Sequence, residues 1–481
     1  MIRLVFSASM FLRNSLKHGT YLRAFPFFLL MLCGCHRISF QAEQAQAQRI
    51  AKELTGEDII YEEEGCASVA PVLPQELSRD EAVRIALLAN KDLRASLYEL
   101  GIAKTNLADA VLFQNPLISF AKPFPLNTSQ RPSTADYIQI DTQILNVPDI
   151  IQIPLRRRMY SAQLEIAVYT FVNKMIDIIA QTRQAYDKVL LSRALIENID
   201  NSVRINEEAE AVKSGTKDSQ RIAHKKHVKT VTALTYEISK LSYMKELVTA
   251  LADLRVLLGV DQDYFSLVKL SSSLTDQMTP LPGLGALVQW AENSHVDMMI
   301  GQKKIEYAVE LLAYEKSKVI DRTSIGTTYF KDLVAKDAGV GPYLIAAVPL
   351  FHQNQPRIVQ ADYIVEKSRR ELDDKRNRLK AALSVAHEKI TLQMQIVDRY
   401  EKELLIVHTE LIDHLKKFKK EIRANGLYVW KKRLEFNELK AKSLEAHYQL
   451  LELYTNLEKV CGKRLFFAQR TIMPGSQGND C

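Results

Sequence analysis

Regularly spaced apolar residues predict long helices over most of this 481-residue chain. After Pro154, about sixty residues pass without glycine or proline before Gly215. At about 1.5 Å per residue, a continuous helix of that length measures roughly 90 Å, several times the usual globular helix. The next segment, up to Gly259, carries apolar residues at steps of mostly three and four, the spacing of a coiled-coil seam: Leu234, Ile238, Leu241, Met244, Leu247, Leu251, Leu254 and Leu258. The pattern predicts two long antiparallel helices joined near residue 215.

The stretch Asp136–Ile144 has the pattern of a strand instead. Its sequence, DYIQIDTQI, alternates polar and apolar residues, and successive residues of an extended strand point to opposite faces. One face carries Ile138, Ile140, Thr142 and Ile144. The other face carries Tyr137, Gln139, Asp141 and Gln143. Such alternation is typical of a half-buried strand.

A capping box marks the start of the organised chain. Ser78 is followed three residues later by Glu81, so each side chain can accept a hydrogen bond from a free backbone N–H at the helix start. We expect one helix from about Arg79 to Val111. It ends before Pro116, and a short β-prone piece at 117–121 follows.

The second half of the chain repeats the organisation of the first. Four landmarks recur in the same order about 200 residues later: Leu77 and Leu281, Pro154 and Pro349, Gly215 and Gly426, and Gly259 and Gly462. Self-similarity at a fixed period indicates a duplicated unit. Each copy is predicted to contain a helix, a strand pair, a long helix, a turn and a second long helix.

This duplication sets the predicted domain boundaries. The first repeat covers 77–260, with strands at about 117–121 and 136–146 and a helical turn near 215. A linker at 261–280 follows. The second repeat covers 281–463, with strands at about 322–330 and 340–350 and a turn near 426. Its last helix again carries an apolar seam: Leu439, Ala446, Leu450, Leu453 and Leu457. Residues 464–481 form a tail.

The first 34 residues are predicted to be a lipoprotein signal peptide. Basic residues are followed by AFPFFLLMLCGC, an apolar run too short for a conventional membrane-spanning helix. Leu32, Cys33 and Gly34 precede Cys35 as in a bacterial lipobox, so Cys35 is the predicted lipidation site, and residues 35–76 form an irregular N-terminal arm. His36, rather than Asp, follows the cysteine, which in bacterial lipoproteins implies sorting to the outer membrane. The alternative is a short anchor that stays uncleaved, and translation can also start at Met10.

Charge and cysteine content argue against a nucleic-acid-binding protein and against a zinc protein. The formal charge of the whole chain is +7, but residues 1–34 contain four basic residues and no acidic one, so the charge without them is +3. The argument for a nucleic-acid partner then largely disappears. Cys66, Cys461 and Cys481 are far apart and form no zinc framework. Cys66 and Cys461 are either a disulfide of an oxidising periplasm or free thiols.

No motif for catalysis is present. The sequence contains no P-loop, no GxSxG and no HExxH motif, so neither an enzymatic activity nor a cofactor is expected. His224 and His227 in HKKH are three residues apart and could share a metal ion on a helix. On a lysine-rich helix, two surface histidines are the better interpretation, and no metal site is predicted.

Long heptad helices alone favour a soluble coiled-coil rod. Two strand pairs at matching positions of the repeats argue against a rod, because isolated two-stranded hairpins are marginal in water and need neighbours. The segments in this order resemble the TolC-type outer-membrane efflux proteins, over roughly Leu77 to Gly462. The matching pieces are Leu77–Ala95, Leu107–Ser119 and Val340–Ala361, with the paired helix ends at Gly259 and Gly462.

The resemblance implies a mainly α fold with a small β part. Duplicated long-helix hairpins would form an α-barrel, and four strands per subunit would contribute to a 12-stranded trimeric transmembrane β-barrel. No run of 18 or more apolar residues follows Cys35, and only helices or closed barrels satisfy the backbone in lipid. The isoleucine face of the strand would then contact lipid, while Gln139, Asp141 and Gln143 would line a water-filled lumen.

The resemblance also places contacts for a periplasmic adaptor protein at the two long-helix turns. By position these are Gly215 and Thr216 in the first turn and Asn425, Gly426 and Leu427 in the second. Asp218 follows the first turn, as acidic residues do in many relatives, whereas Lys431 and Lys432 follow the second. A basic entrance of this kind is expected to favour anionic or neutral cargo, or an acidic adaptor surface.

The expected function is therefore a passive exit duct for small molecules in a tripartite efflux system. A homotrimer in the outer membrane of a Gram-negative bacterium, lipid-anchored and extending into the periplasm, would receive cargo from an inner-membrane pump through the adaptor. The segments IPLRRR and PLFHQNQPR resemble efflux partners of resistance-nodulation-division pumps slightly more than type I protein-secretion ducts. The resemblance therefore implies a pump of that type. The alternatives are a type I protein-secretion duct of the same fold and a periplasmic coiled-coil structural lipoprotein.

Overall fold

The computed structural model describes residues 38–57, 74–122, 137–213, 219–260, 269–270, 280–320, 323–333, 335–417 and 422–464. The chain divides into two compact units, Met1–Phe40 and Gln41–Cys481. All helices and strands of the described residues lie in the second unit. Cys35 and Cys66 lie outside the described residues.

The helices and strands follow the predicted duplicated order. The first repeat contains α2 (Arg79–Ala89), α3 (Lys91–Ala110), β2 (Leu117–Ala121), β3 (Tyr137–Asn146), α4 (Val147–Lys213) and α5 (Ser219–Leu258). The second contains α6 (Leu284–Ser294), α7 (Val296–Ser317), β5 (Thr323–Asp332), β6 (Ala338–Ala346), α8 (Gln355–Lys417) and α9 (Ile422–Cys461). A helix α1 (Gln41–Thr55) precedes them, and two short strands, β1 (Glu76–Leu77) and β4 (Lys269–Leu270), pair in parallel.

These bounds correct the predictions for the N-terminal arm and for the start of the long helix. The arm is not irregular throughout, because it contains α1. Ala47 and Ala51 of this helix are fully buried, and Glu43 forms an ion pair with Lys104 at 2.6 Å. The long helix starts at Val147, so Pro154 lies inside α4, whereas Pro349 lies in the loop before α8. Pro154 is the eighth residue of its helix, beyond the first turn, so its missing N–H removes the hydrogen bond to the Ile150 carbonyl.

The predicted single helix from Arg79 to Val111 is interrupted at Asn90. The capping box at its start is present, since Ser78 Oγ accepts from the Glu81 N–H and the Glu81 carboxylate accepts from the Ser78 N–H. Asn90 has ψ of 121°, and its side chain accepts from the Leu93 N–H to cap α3. His295 makes the same break between α6 and α7 in the second repeat. The duplication therefore extends to a feature that neither copy's apolar pattern indicated.

The two long hairpins pack as one row of helices. Among the four long helices, α5 packs on α4, α4 on α9, and α9 on α8, so α5 and α8 are the ends of this row. The shorter helix α7 packs on both α4 and α8. One core lies between α8, α9 and the short helix α6, and contains Leu383, Ile390, Leu450 and Leu457. A smaller core, around Leu191 and Leu195 of α4, receives side chains from α5 and α9.

Gly259 and Gly462 end α5 and α9 in the same left-handed conformation, with φ of +64° and +65°. Each follows the last helical residue, where a left-handed glycine commonly ends a helix. Gly259 lies next to the backbone of Ala89 and Asn90, where α2 ends, and Gly462 lies beside His295. Each glycine thus joins the end of a long helix to the short helices of its own repeat.

Among the described residues, no helix combines the length and apolar character needed to cross a membrane.

Candidate functional site: the four-stranded sheet and the helix ends

The four long strands form one antiparallel sheet in the order β2-β3-β5-β6. The first strand of each repeat pairs with the second, and β3 joins β5 across the two repeats. In the described chain, the outer edges of β2 and β6 have no strand beside them. Each edge therefore presents a row of backbone N–H and C=O groups available for pairing.

The two faces of this sheet differ in chemistry. Residues directly opposite on neighbouring strands share a face. One row across the sheet consists of Phe120, Ile140, Tyr329 and Val340. The next row, on the opposite face, consists of Ser119, Asp141, Thr328 and Gly341. We call the face of Ile140 the apolar face and the face of Asp141 the polar face.

Large apolar side chains of the apolar face are exposed in the single subunit. Ile118, Phe120, Val340 and Leu344 are each more than 60% exposed. Two threonines lie in the middle of this face, Thr142 and Thr327, and their hydroxyl oxygens are 2.7 Å apart. Lys331 lies near the end of the face, opposite Ile138. Because the threonine hydroxyls bond to each other and Thr142 Oγ1 also reaches the Thr327 carbonyl, this face leaves no free polar group at the two threonines. Such a surface suits a hydrocarbon environment.

The three predicted lumen residues, Gln139, Asp141 and Gln143, lie on the polar face. Thr328 Oγ1 donates to the Asp141 carboxylate at 2.6 Å, and Gln139 Nε2 donates to it at 2.9 and 3.0 Å. Gln143 lies on the same face, opposite Gly326. The ends of the face also carry apolar residues, such as Phe330, whose ring stacks on Tyr137 at 5.1 Å. That this face lines a lumen stays a prediction.

The position of Ile144 differs from the predicted alternation. The register of β3 against β5 shifts between Gln143 and Leu145, and Leu145, not Ile144, pairs with Ile325. Ile144 is the extra residue of a bulge, which bends a strand and increases its twist. Opposite the bulge, a Cβ on Gly326 would lie 1.5 Å from the Thr142 carbonyl oxygen. Glycine is therefore required where the strands approach most closely.

The first helical turn lies partly outside the described residues. The predicted contacts Gly215, Thr216 and Asp218 belong to that undescribed part, between Lys213 at the end of α4 and Ser219 at the start of α5. Only the backbone of His224 and His227, in α5, is described. Among the described residues, no group of three or more His, Cys, Asp or Glu side chains could hold a metal ion.

The second turn between long helices lies earlier in the chain than the predicted position near residue 426. Helix α8 ends at Lys417 and α9 begins at Ile422, so Asn425, Gly426 and Leu427 lie in the first two turns of α9. Glycine lowers helix stability by about 1 kcal/mol and does not by itself end a helix. Gly426 therefore lies within α9 and does not end a helix.

The basic residues after this turn are largely paired with acidic ones. Lys432 lies 3.1 Å from Glu410 and 3.3 Å from Glu435, and these carboxylates raise its pKa. Arg433 lies 2.9 Å from Glu208 on α4. Lys431 is exposed. The predicted basic entrance is thus weaker than the sequence indicates, because Lys432 does not act as a free charge.

A buried ion-pair network, which the sequence did not reveal, connects the N-terminal arm and the segment directly after α9 to the helix row. Arg183 of α4 lies 2.8 Å from Glu458 of α9 and 3.6 Å from Glu57, which follows α1. Arg464 in turn lies 2.8 Å from Glu57. The Arg183 side chain is 6% exposed, and burial lowers its pKa although Glu458 opposes this effect. These residues are hundreds of positions apart, so no local pattern marks them.

Comparisons with known proteins identify the fold. No model of a known protein family matches the sequence, and no curated protein matches it. Solved structures do match. The open state of the MtrE outer membrane channel of Neisseria gonorrhoeae is 12% identical, with 84% of this chain and 95% of that chain covered and a TM-score of 0.64.

Two further structures agree. CusC, described with its transmembrane channel formation, is 15% identical over 84% of this chain and 96% of its own, with a TM-score of 0.61. The outer membrane protein VceC of Vibrio cholerae is 11% identical over 80% of this chain and 96% of its own, with a TM-score of 0.60. The resemblance seen in the sequence is thus confirmed at the level of the fold: this chain has the fold of the TolC-type outer-membrane channels.

Proposed function

We propose that the chain is the subunit of a trimeric outer-membrane channel, a passive duct that exports small molecules. The observation that carries this proposal is the four-stranded sheet, which has an apolar face, a polar face and two open edges. Four strands cannot enclose a pore, whereas three copies supply twelve, which can. Pairing β6 of one copy with β2 of the next also satisfies the edge N–H and C=O groups, which lipid cannot do.

The helix row supports the same closure. Its end helices, α5 and α8, carry apolar side chains that are exposed in the single subunit. On α5 these are Leu234, Ile238, Leu241, Met244 and Val248. On α8 they are Val385, Leu392, Ile396, Leu405 and Ile406. If α5 of one copy packs on α8 of the next, three rows close into a twelve-helix α-barrel below the sheet and bury both stripes.

The remaining parts of the proposal concern location and partners. The duct sits in the outer membrane of a Gram-negative bacterium, its helices extend into the periplasm, and an acyl chain on Cys35 anchors it to lipid. The chain has no energy source of its own. It therefore works with a periplasmic adaptor protein at the ends of the long helices and with an inner-membrane pump of the resistance-nodulation-division type.

Pore formation by the purified protein tests the proposal. We expect a heat-sensitive trimer in detergent and stepwise conductance in a planar lipid bilayer. One variant is Ile325→Asp, which places a charge on the apolar face and should lower the amount of protein assembled in the membrane. Its matched control is Ser324→Asp, on the other face, which should still assemble. A pore-free, soluble rod after Cys35→Ala would instead favour the structural lipoprotein.

Metabolic labelling with palmitate tests the anchor. Cys35→Ala should abolish labelling, and Cys33→Ala, two residues earlier, should leave it intact. Labelling that survives Cys35→Ala would contradict the proposed site.

Charge reversal tests the helix ends. Lys431→Glu should change adaptor affinity or ion selectivity if the exposed charge matters. Lys432→Glu should in addition destabilise the α8–α9 hairpin, because it places a third carboxylate beside Glu410 and Glu435. If neither variant changes adaptor affinity or ion selectivity, the basic residues have no role at the entrance.

A further inference from the structure

Asp141 is the one charged side chain in the middle of the polar face, as far as the strands are described. Its row across the sheet holds only Ser119, Thr328 and Gly341 besides. The neighbouring rows of the same face carry Gln139 and Gln143. The other acidic residue on this face, Asp332, lies at the end of β5, opposite Tyr137.

The Asp141 carboxylate is held in place but not neutralised. Its hydrogen-bond donors are the Thr328 hydroxyl at 2.6 Å and the Gln139 amide at 2.9 and 3.0 Å, both uncharged. Among the described residues, no lysine, arginine or histidine forms an ion pair with it. Neutral donors orient a carboxylate without cancelling its charge. The strand backbone therefore presents a full negative charge at a defined level of the sheet.

We propose that Asp141 makes this channel selective for cations. The inference rests on the proposed trimeric duct, in which threefold symmetry places three Asp141 carboxylates at one level of the lumen. Rings of acidic side chains are a recurrent basis of cation selectivity. A charge of one sign in a lumen with low-dielectric walls raises the local concentration of counter-ions.

The contrast with the helix ends decides the sign of the expected selectivity. The sequence alone favours anionic or neutral cargo, or an acidic adaptor surface, because Lys431 and Lys432 follow the second turn. Lys432 and Arg433 are paired with Glu410, Glu435 and Glu208, whereas Asp141 has no basic partner in the described chain. At the helix ends Lys431 remains as the exposed basic residue, and in the sheet Asp141 supplies an uncompensated negative charge.

Salt dependence provides a signature of this mechanism. The Debye length is about 30 Å at 0.01 M salt and about 3 Å at 1 M. A ring of three carboxylates in a wide lumen acts across the whole opening only at low salt. Cation preference should therefore be strong near 0.01 M and disappear near 1 M.

Reversal potentials of single channels under a tenfold KCl gradient test the proposal. We expect cation preference in the original protein, a permeability ratio close to unity in Asp141→Asn, and retained preference in Asp141→Glu. Asp253→Asn, an exposed neutralisation on α5, makes the same change in net charge away from the sheet and should keep the original ratio. If Asp141→Asn assembles poorly, Gln143→Asp provides a second test, since an added carboxylate on the same face should raise the ratio severalfold.

The outcomes separate this inference from the function on which it rests. An original protein that conducts but prefers anions, or an Asp141→Asn pore with unchanged selectivity, overturns the role of Asp141 and leaves the duct intact. A protein that forms no pore contradicts the proposed function itself.

Discussion

The hydroxyl oxygens of Thr142 and Thr327 lie 2.7 Å apart on the apolar face of the four-stranded sheet. Each threonine supplies the hydrogen-bond partner of the other where the surrounding residues are Ile140, Tyr329 and Pro342. A polar group without a partner in an apolar environment costs free energy, whereas two partners removed together leave no unmet group. The pair therefore places a polar row within the apolar face without leaving either hydroxyl unpaired.

The first prediction concerns the loss of one or both hydroxyls of this pair. We expect Thr142→Val, which leaves the Thr327 hydroxyl without its partner, to lower the free energy of unfolding by about 1 kcal/mol. Thr327→Val should cost less, because Thr142 Oγ1 keeps its hydrogen bond to the Thr327 carbonyl. The double variant should recover part of that loss, because valine has the shape of threonine. Urea unfolding of the four proteins in detergent, analysed as a double-mutant cycle, measures the coupling. Costs that simply add would contradict the mutual bond.

A second prediction concerns the two left-handed glycines. A Cβ on Gly259 would lie 2.3 Å from the Ala89 carbonyl oxygen, a backbone atom. The same atom on Gly462 would lie 3.4 Å from its nearest neighbour, His295 Cα. Both alanine variants carry the left-handed strain of about 1–2 kcal/mol, but only Gly259→Ala adds a backbone collision.

We therefore expect a larger fall in the urea midpoint for Gly259→Ala than for Gly462→Ala. Gly285→Ala, near the start of α6 with open space around it, is the matched control and should leave the midpoint unchanged or raise it slightly. Equal effects at Gly259 and Gly462 would mean that Ala89 moves aside at little cost.

The ion-pair network leads to a third prediction. Arg183→Met removes the cation that lies between Glu458 and Glu57, and it leaves buried carboxylates with fewer partners. Removal of one partner of a buried pair typically costs about 3–5 kcal/mol. Arg193→Met, an exposed position on the same helix, should change stability by less than about 0.5 kcal/mol. Thermal denaturation in detergent compares the two, and similar midpoints would show that the network contributes little.

The strands and the duplication were predictable because their signals are local. Alternation over Asp136–Ile144 and a repeat near 200 residues need no tertiary information, and the structure places these strands within a few residues of the predicted bounds. The capping box at Ser78 and Glu81 was predictable for the same reason. Asn90, a good N-cap residue, carried a signal for the helix break that the long apolar pattern around it obscured.

Other features depend on packing that a single pattern does not contain. The apolar seams of α5 and α9 have similar spacing, yet Leu450 and Leu457 of α9 are buried while Leu234 and Leu241 of α5 are exposed. The difference arises because α9 lies inside the helix row and α5 at its end. The Arg183 network and the pairing of Lys432 likewise depend on helices that meet only in the folded subunit.

The last prediction distinguishes the faces of the sheet at adjacent residues. Ile140 lies on the apolar face between Phe120 and Tyr329, and Gln139 lies on the polar face between Ala121 and Phe330. An arginine facing lipid near the middle of the membrane costs about 2–4 kcal/mol, whereas one facing a water-filled lumen does not. We therefore expect Ile140→Arg to reduce the amount of trimer in the outer membrane, and Gln139→Arg to assemble normally and shift ion selectivity toward anions. Membrane fractionation measures the first effect, and reversal potentials measure the second. Equal loss of assembly in both variants would mean that neither face contacts water, and the sheet would then have to be buried between proteins rather than set in a membrane.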